Sequence, residues 1–155
     1  MLTIVTNPSI LSISGIGSCI ALAMRDDVTM ASGLAHIVLP SSANANDGVT
    51  NPGRYSDTAV AALIRGLLRS GGSLSNIKSK LVGGARVLPS GGFDGARNVE
   101  STRNELKRAG VSIVAEDIGQ TYGRSMKFNT ATGKLVIRRF QQSTGGAELK
   151  DIVVI

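Results

Sequence analysis

One cysteine, Cys19, and one histidine, His36, stand close together in the first quarter of a 155-residue chain. A thiol is a weak nucleophile until a base takes its proton, and imidazole is the side chain suited to take that proton near neutrality and return it to a leaving group. The pair points to attack on a carbonyl carbon through a thioester. Cys19 ends the segment GIGSC (15–19), in which Gly15 and Gly17 permit positive φ and close approach of other groups to the main chain. In the Gly17–Ser18 loop, the backbone N–H groups of Ser18 and Cys19 are placed to face a developing oxyanion. Taken singly, each residue has a plainer reading: a free cysteine as a small buried hydrophobe, and a lone strand histidine as a satisfied core residue.

Other chemistries fail on counts or spacing. One cysteine makes no internal disulfide, and with one histidine it makes no structural zinc site or haem-attachment motif. GIGSCI lacks the third glycine of a dinucleotide fingerprint, and no phosphate-binding G-x-x-x-x-G-K-[ST] occurs. No metal or cofactor is expected. The net charge of +6 raises nucleic acid as a partner, but the basic residues are scattered and five Phe and Tyr residues give no stacking platform, so a solvated surface or a mildly acidic protein partner fits better. The amino terminus has no signal-peptide pattern, and Asp26, Asp27 and Pro40 interrupt every run approaching membrane-span length, which implies no membrane insertion and a cytoplasmic location.

The elements that must position the pair follow from hydrophobic spacing. With 42% apolar and 18% charged residues, the chain reads as one globular domain over 1–155. Segments 10–14, 19–24 and 30–39 are strand-like, which puts Cys19 and His36 on neighbouring extended segments. Residues 40–54, small, polar and rich in Gly and Pro, read as a mobile loop following His36, either a plain connection or a lid over the site. A helix follows, capped by Ser56 or Asp57, with Val60, Leu63, Ile64, Leu67 and Leu68 on one stripe and Gly71-Gly72 at its end.

Segment 80–88 reads as a strand broken at Gly83-Gly84, where the backbone passes close to something else. A second helix spans about Asn98 to Arg108 with Asn98 as its cap. Strands at 112–118, 125–129 and 134–140, a hairpin at 130–133 and a last strand, DIVVI, complete an α+β domain of mixed sheets with helices packed outside. Arg97, Asn98, Glu116, Asp117 and Gly119 are further groove candidates, but a helix cap and a surface acidic turn account for Asn98 and the acidic pair more simply.

Six blocks occur in order from about Asn7 to about Phe140: GIGSCIALAMRDD, GLAHIVLP, GRYSDTAVAALIRGLL, VGGARV, GARNVESTRNEL and VAEDIGQTYGRSMKFNTATGKLVI. Together they resemble CheD, the chemoreceptor glutamine deamidase family of bacterial and archaeal chemotaxis. The resemblance implies a cysteine amidohydrolase that converts glutamines on receptor cytoplasmic helices to glutamate and ammonia, with receptor methyl esters as further substrates. It implies chemoreceptors and the CheC phosphatase as partners, and a layered α/β/β fold similar to that of cytotoxic necrotizing factor-like cysteine hydrolases. The family nucleophile falls on Cys19 and its histidine on His36.

Two departures qualify it. Family members carry T-L-G-L-G-S-C, and Ile13 stands at the threonine position, where it offers no hydrogen bond to orient an imidazole. A bulge beside Gly15 that re-aims Ser14 is one remedy. A catalytically weakened, CheD-like binding module that docks on receptors or on CheC is the alternative. The family also carries a strand before Asn7-Pro8, for which Met1–Thr6 leaves little chain, so one strand is expected to be short or frayed.

Overall fold

The strand Ile20–Asp26 explains the layering. Every residue from Ile20 to Met24 is buried, and alternation sends Ile20, Leu22 and Met24 into one core cluster and Ala21 and Ala23 into another. A strand covered on both faces belongs to a middle layer. The computed structural model describes residues 1–43, 45, 50–86 and 95–155.

In chain order the elements are β1 (Leu2–Val5), β2 (Ile10–Ile16), β3 (Ile20–Asp26), β4 (Ser32–Ile37), α1 (Ser56–Arg69), β5 (Ile77–Gly83), α2 (Gly95–Arg108), β6 (Ser112–Ile118), β7 (Gly123–Asn129), β8 (Leu135–Ser143) and β9 (Gly146–Val154). A five-stranded sheet has the order β1-β4-β3-β5-β6, and a four-stranded sheet the order β2-β7-β8-β9. Among the strands of the described residues, only β5 and β6 pair in parallel, as expected where α2 supplies the crossover between them. Ala59, Val60, Leu63 and Leu67 of α1 and Val99 and Leu106 of α2 cover the first sheet on one side. Ile13, Ile16, Met126, Phe128, Leu135 and Ile137 of the second sheet cover it on the other. The expected layered α+β arrangement is present. Full burial of a leucine such as Leu22, Leu63 or Leu81 contributes roughly 1.5–3 kcal/mol.

The strand before Asn7-Pro8 is present and short, as expected, with Leu2 to Val5 paired antiparallel with Ala35 to Ser32 at the sheet edge. Several local expectations change. The last strand is nine residues rather than five, since alternating polar residues at 146–151 hide its pairing with β8 from an apolar-run reading. Cys19 lies in the bend before β3, not in the strand itself. Tyr55, not Ser56 or Asp57, holds the cap position of α1 and makes no side-chain cap. Ser56 Oγ instead lies 3.0 Å from Thr102 Oγ1 on α2, and the Asp57 carboxylate accepts from Ser42 N and Oγ. The second helix starts at Gly95, so Asn98 is inside it rather than capping it.

The 40–54 loop is held at both ends, by Ser42 on Asp57 and by Val38 N and Leu39 N on Arg54 O. Its residues 44 and 46–49, like residues 87–94 that include the end of the 80–88 reading, lie outside the described residues.

Candidate active site

Cys19 sits where the chain leaves the second sheet at Ile16 and enters the first at Ile20. Three successive carbonyls of this crossing are each held: Gly17 O by Ala85 N at 2.8 Å, Ser18 O by Asn98 Nδ2 at 3.0 Å and Cys19 O by Gly84 N at 2.9 Å. Gly83 must be glycine here, because its φ is +124° and a Cβ would collide with Cys19 O. The close approach expected at Gly83-Gly84 is thus an approach to the Cys19 turn.

His36 is placed by pairing. It lies opposite Ala21, with Ile20 opposite Ile37. The pairing ends at Ile20–Ile37, so Cys19 lies one residue outside its last pair and His36 one residue inside it. Leu34 and Ala21 both enter the inter-sheet core, and strand alternation turns His36 to that face too. His36 Nε2 is buried and has no hydrogen-bond partner among the described residues.

Both groups are half-buried and neutral at rest. Burial pushes the Cys19 thiol above its ordinary pKa, against a smaller opposing pull from hydrogen bonds of its own amide and the Ser18 side chain. Burial also holds His36 below the usual imidazole value, and the positive amino terminus adds to that shift. His36 Nε2 makes no hydrogen bond to the Cys19 thiol, so the two groups stand as separate neutral side chains near one end of the β3–β4 pair.

The bulge between Ile13 and Ile16 is present, with Gly15 at φ +70°. It brings Ile16, not Ser14, to the inner face: Ile13 and Ile16 are buried in the inter-sheet core and Ser14 is exposed. Among the described residues no side chain takes the orienting role expected of the family threonine. Gly17 and Ser18 are half-buried in the crossing.

The acidic pair is not a surface turn. Both residues lie in β6; Glu116 pairs with Arg103 on α2, whereas Asp117 is buried against Arg124 and Arg139. Arg124 pairs in register with Ile16, is 1% exposed, and also donates to Gly119 O and Tyr122 O. Sequence reasoning missed Arg124, which an alternating strand pattern presents as an ordinary position; Asn98 was a groove candidate, but the cap reading preferred for it hid its contact with Ser18. Among the described residues no group of acidic, cysteine and histidine side chains is placed to hold a metal ion, and no helix is long and apolar enough to cross a membrane.

Comparison with known proteins gives a concordant result. Residues 38–139 match the family model described as CheD chemotactic sensory transduction. The chemoreceptor glutamine deamidase CheD of Thermotoga maritima is 39% identical over 150 residues, covering 96% of this chain and 91% of that protein. A probable chemoreceptor glutamine deamidase CheD of Geobacillus kaustophilus is 39% identical over 155 residues with the same coverage, and one of Haloarcula marismortui is 36% identical over 138 residues, 87% of this chain and 79% of that protein. The chain belongs to the CheD family.

Proposed function

We propose that this protein deamidates glutamine side chains on chemoreceptors, with Cys19 as nucleophile and His36 as general acid and base. The observation that supports this reading is that the only thiol and the only imidazole of the chain lie at the same end of the β3–β4 pair, Cys19 one residue before Ile20 and His36 one residue before its partner Ile37, with Nε2 left without a hydrogen-bond partner among the described residues. His36 takes the Cys19 proton, and the thiolate attacks the carboxamide carbon. The imidazolium protonates the departing NH2, which leaves as ammonia, and a thioester remains. Water, deprotonated by His36, then attacks the thioester; the thiol is released and glutamate is formed.

Peptide geometry supplies the oxyanion donors. In a trans peptide the N–H points opposite to the C=O. The Gly17 and Ser18 carbonyls are fixed inward on Ala85 and Asn98, so the amides of Ser18 and Cys19 face the other way, where a tetrahedral oxygen needs them. A glutamyl methyl ester presents the same carbonyl with methanol as leaving group, and the same steps hydrolyse it. The resemblance extends to a CheC-type phosphatase as a protein partner.

The direct test is the intact mass of a receptor cytoplasmic fragment incubated with the protein. Conversion of each amide to acid adds about one dalton and releases one ammonia, as the thioester route requires. A fragment unchanged in mass with excess protein would reject deamidation.

The acid limb of the activity profile follows from the depressed imidazole pKa. The base works only when neutral, so kcat/KM is expected to stay level as pH falls through about 6.5 and to drop below it, at the lower pKa of His36. A midpoint at or above the ordinary imidazole value contradicts this assignment.

Ile13 motivates the second reading, a weakened module that docks without efficient turnover. Its side chain is 5% exposed in the inter-sheet core. Ile13→Thr is expected to lower stability by about 1–3 kcal/mol through a buried hydroxyl and lost packing, with deamidation per folded molecule within a few-fold of the parent. A rise of tenfold or more would favour the docking module.

A further inference from the structure

We infer that Asn98 is a positioning residue for this reaction, spacing the Cys19 turn against the end of the His36 strand through a single amide nitrogen. The inference rests on the Cys19–His36 reading above. Asn98 is 2% exposed, and its Nδ2 donates to Ser18 O and to Val38 O, each at 3.0 Å. The first carbonyl belongs to the peptide whose N–H is that of Cys19. The second lies two residues beyond His36.

An amide NH2 is planar, with its protons about 120° apart, so two acceptors on one such nitrogen are held about 5 Å from each other. This fixes the separation of the two segments that carry nucleophile and base. The orientation is determined: a flipped amide would set its oxygen against two carbonyl oxygens.

Two further observations separate this from ordinary helix packing. With both amide protons engaged, Asn98 Oδ1 remains buried without a donor among the described residues. A residue serving stability alone would not be expected to leave a buried acceptor unmet. The only other residues with such an atom among the described ones are His36, at Nε2, and Asp151. The helix face bearing Asn98 also reaches the loop after β4 one turn on, where Ser101 Oγ donates to Pro40 O at 2.6 Å. Asn98, Ser101 and Thr102 thus form a polar stripe at helical spacing, directed at the crossing, at the segment after His36 and at Ser56. Of the three, only Asn98 touches both.

Because the chain has one cysteine, iodoacetamide alkylation reads Cys19 alone and needs no receptor. Asn98→Ala is expected to shift the pH profile of Cys19 alkylation and to lower kcat on the receptor fragment about a hundredfold, the scale of an ångström misplacement, with KM within about twofold. Thr102→Val, which loses the Ser56 contact and the bond to Asn98 O but touches neither carbonyl, is the control for loosening the helix. It should keep the parental alkylation profile and lose activity only in proportion to unfolded protein.

If Asn98→Ala behaves as Thr102→Val does, the role is structural and the inference is overturned. If Asn98→Ala does not fold, Asn98→Ser is measured in its place, with the same expectation and the same overturning result. Cys19→Ala run in parallel keeps the two claims apart: retained deamidation there rejects the proposed function, whereas an unaltered alkylation profile in the Asn98 variants rejects only the positioning role.

Discussion

Cys19→Ala is expected to abolish deamidation, with a fall in kcat of at least about 10⁴-fold and little change in folding. No other thiol exists in the chain. Ser18 precedes the position, but its carbonyl is tied to Asn98 and its hydroxyl is far less acidic than a thiol, so it cannot take over the attack. The stability cost is small because Cys19 is only half-buried and its turn is held by backbone carbonyls that alanine retains. Ammonia release from receptor fragment and a thermal unfolding curve on the same preparation check both halves. Residual turnover above about a hundredth of the parent rate would remove Cys19 from the mechanism.

The second large effect is on stability. Asp117→Ala is expected to cost about 3–5 kcal/mol at neutral pH, because it leaves the Arg124 guanidinium buried without a counter-charge. Asp117 accepts from Arg124 Nε at 3.2 Å and from Arg139 Nη2 at 2.8 Å. The Tyr122 ring faces both guanidiniums, with centroid distances of 4.5 and 5.4 Å. Burial alone would raise the Asp117 pKa, but the hydrogen bonds from Arg139 and Arg124 outweigh it and hold the carboxyl below its usual range. The associated stability is complete above the unfolded-state carboxylate pKa of about 4 and is lost as pH falls through the lower folded value. Denaturant midpoints of parent and variant should therefore lie far apart at pH 7 and converge in strong acid. A gap that is constant with pH would show that the loss is one of packing. Replacing Asp117 and Arg124 together by apolar residues of similar volume should recover much of the loss.

The same residues show what a sequence can and cannot disclose. Cys19 and His36 stood out in the sequence as candidates because thiol and imidazole each occur once in the chain. The layering was legible because β3 is apolar from Ile20 to Met24 and α1 carries its stripe at helical spacing. Asn98 and Arg124 were not. Their roles depend on which carbonyls and carboxylates the fold brings from distant parts of the chain, and hydrophobic periodicity carries no such information. Asn98 illustrates the ambiguity well, since asparagine ahead of an apolar periodic run has the composition of a helix cap. It became an interior residue because the helix begins three positions earlier, at Gly95. The first part of β9 escaped for a related reason: Gly146 to Leu149 pair with β8 yet are exposed.

The short bridge from Ile16 to Ile20 is fastened to different sheets at its two ends. A sulfur mounted within one sheet would keep its bearings for as long as that sheet survived; here its aim depends on how the two leaves of the sandwich slide over each other. Warming or mild denaturant that loosens the seam should silence the molecule while circular dichroism still reports intact secondary structure.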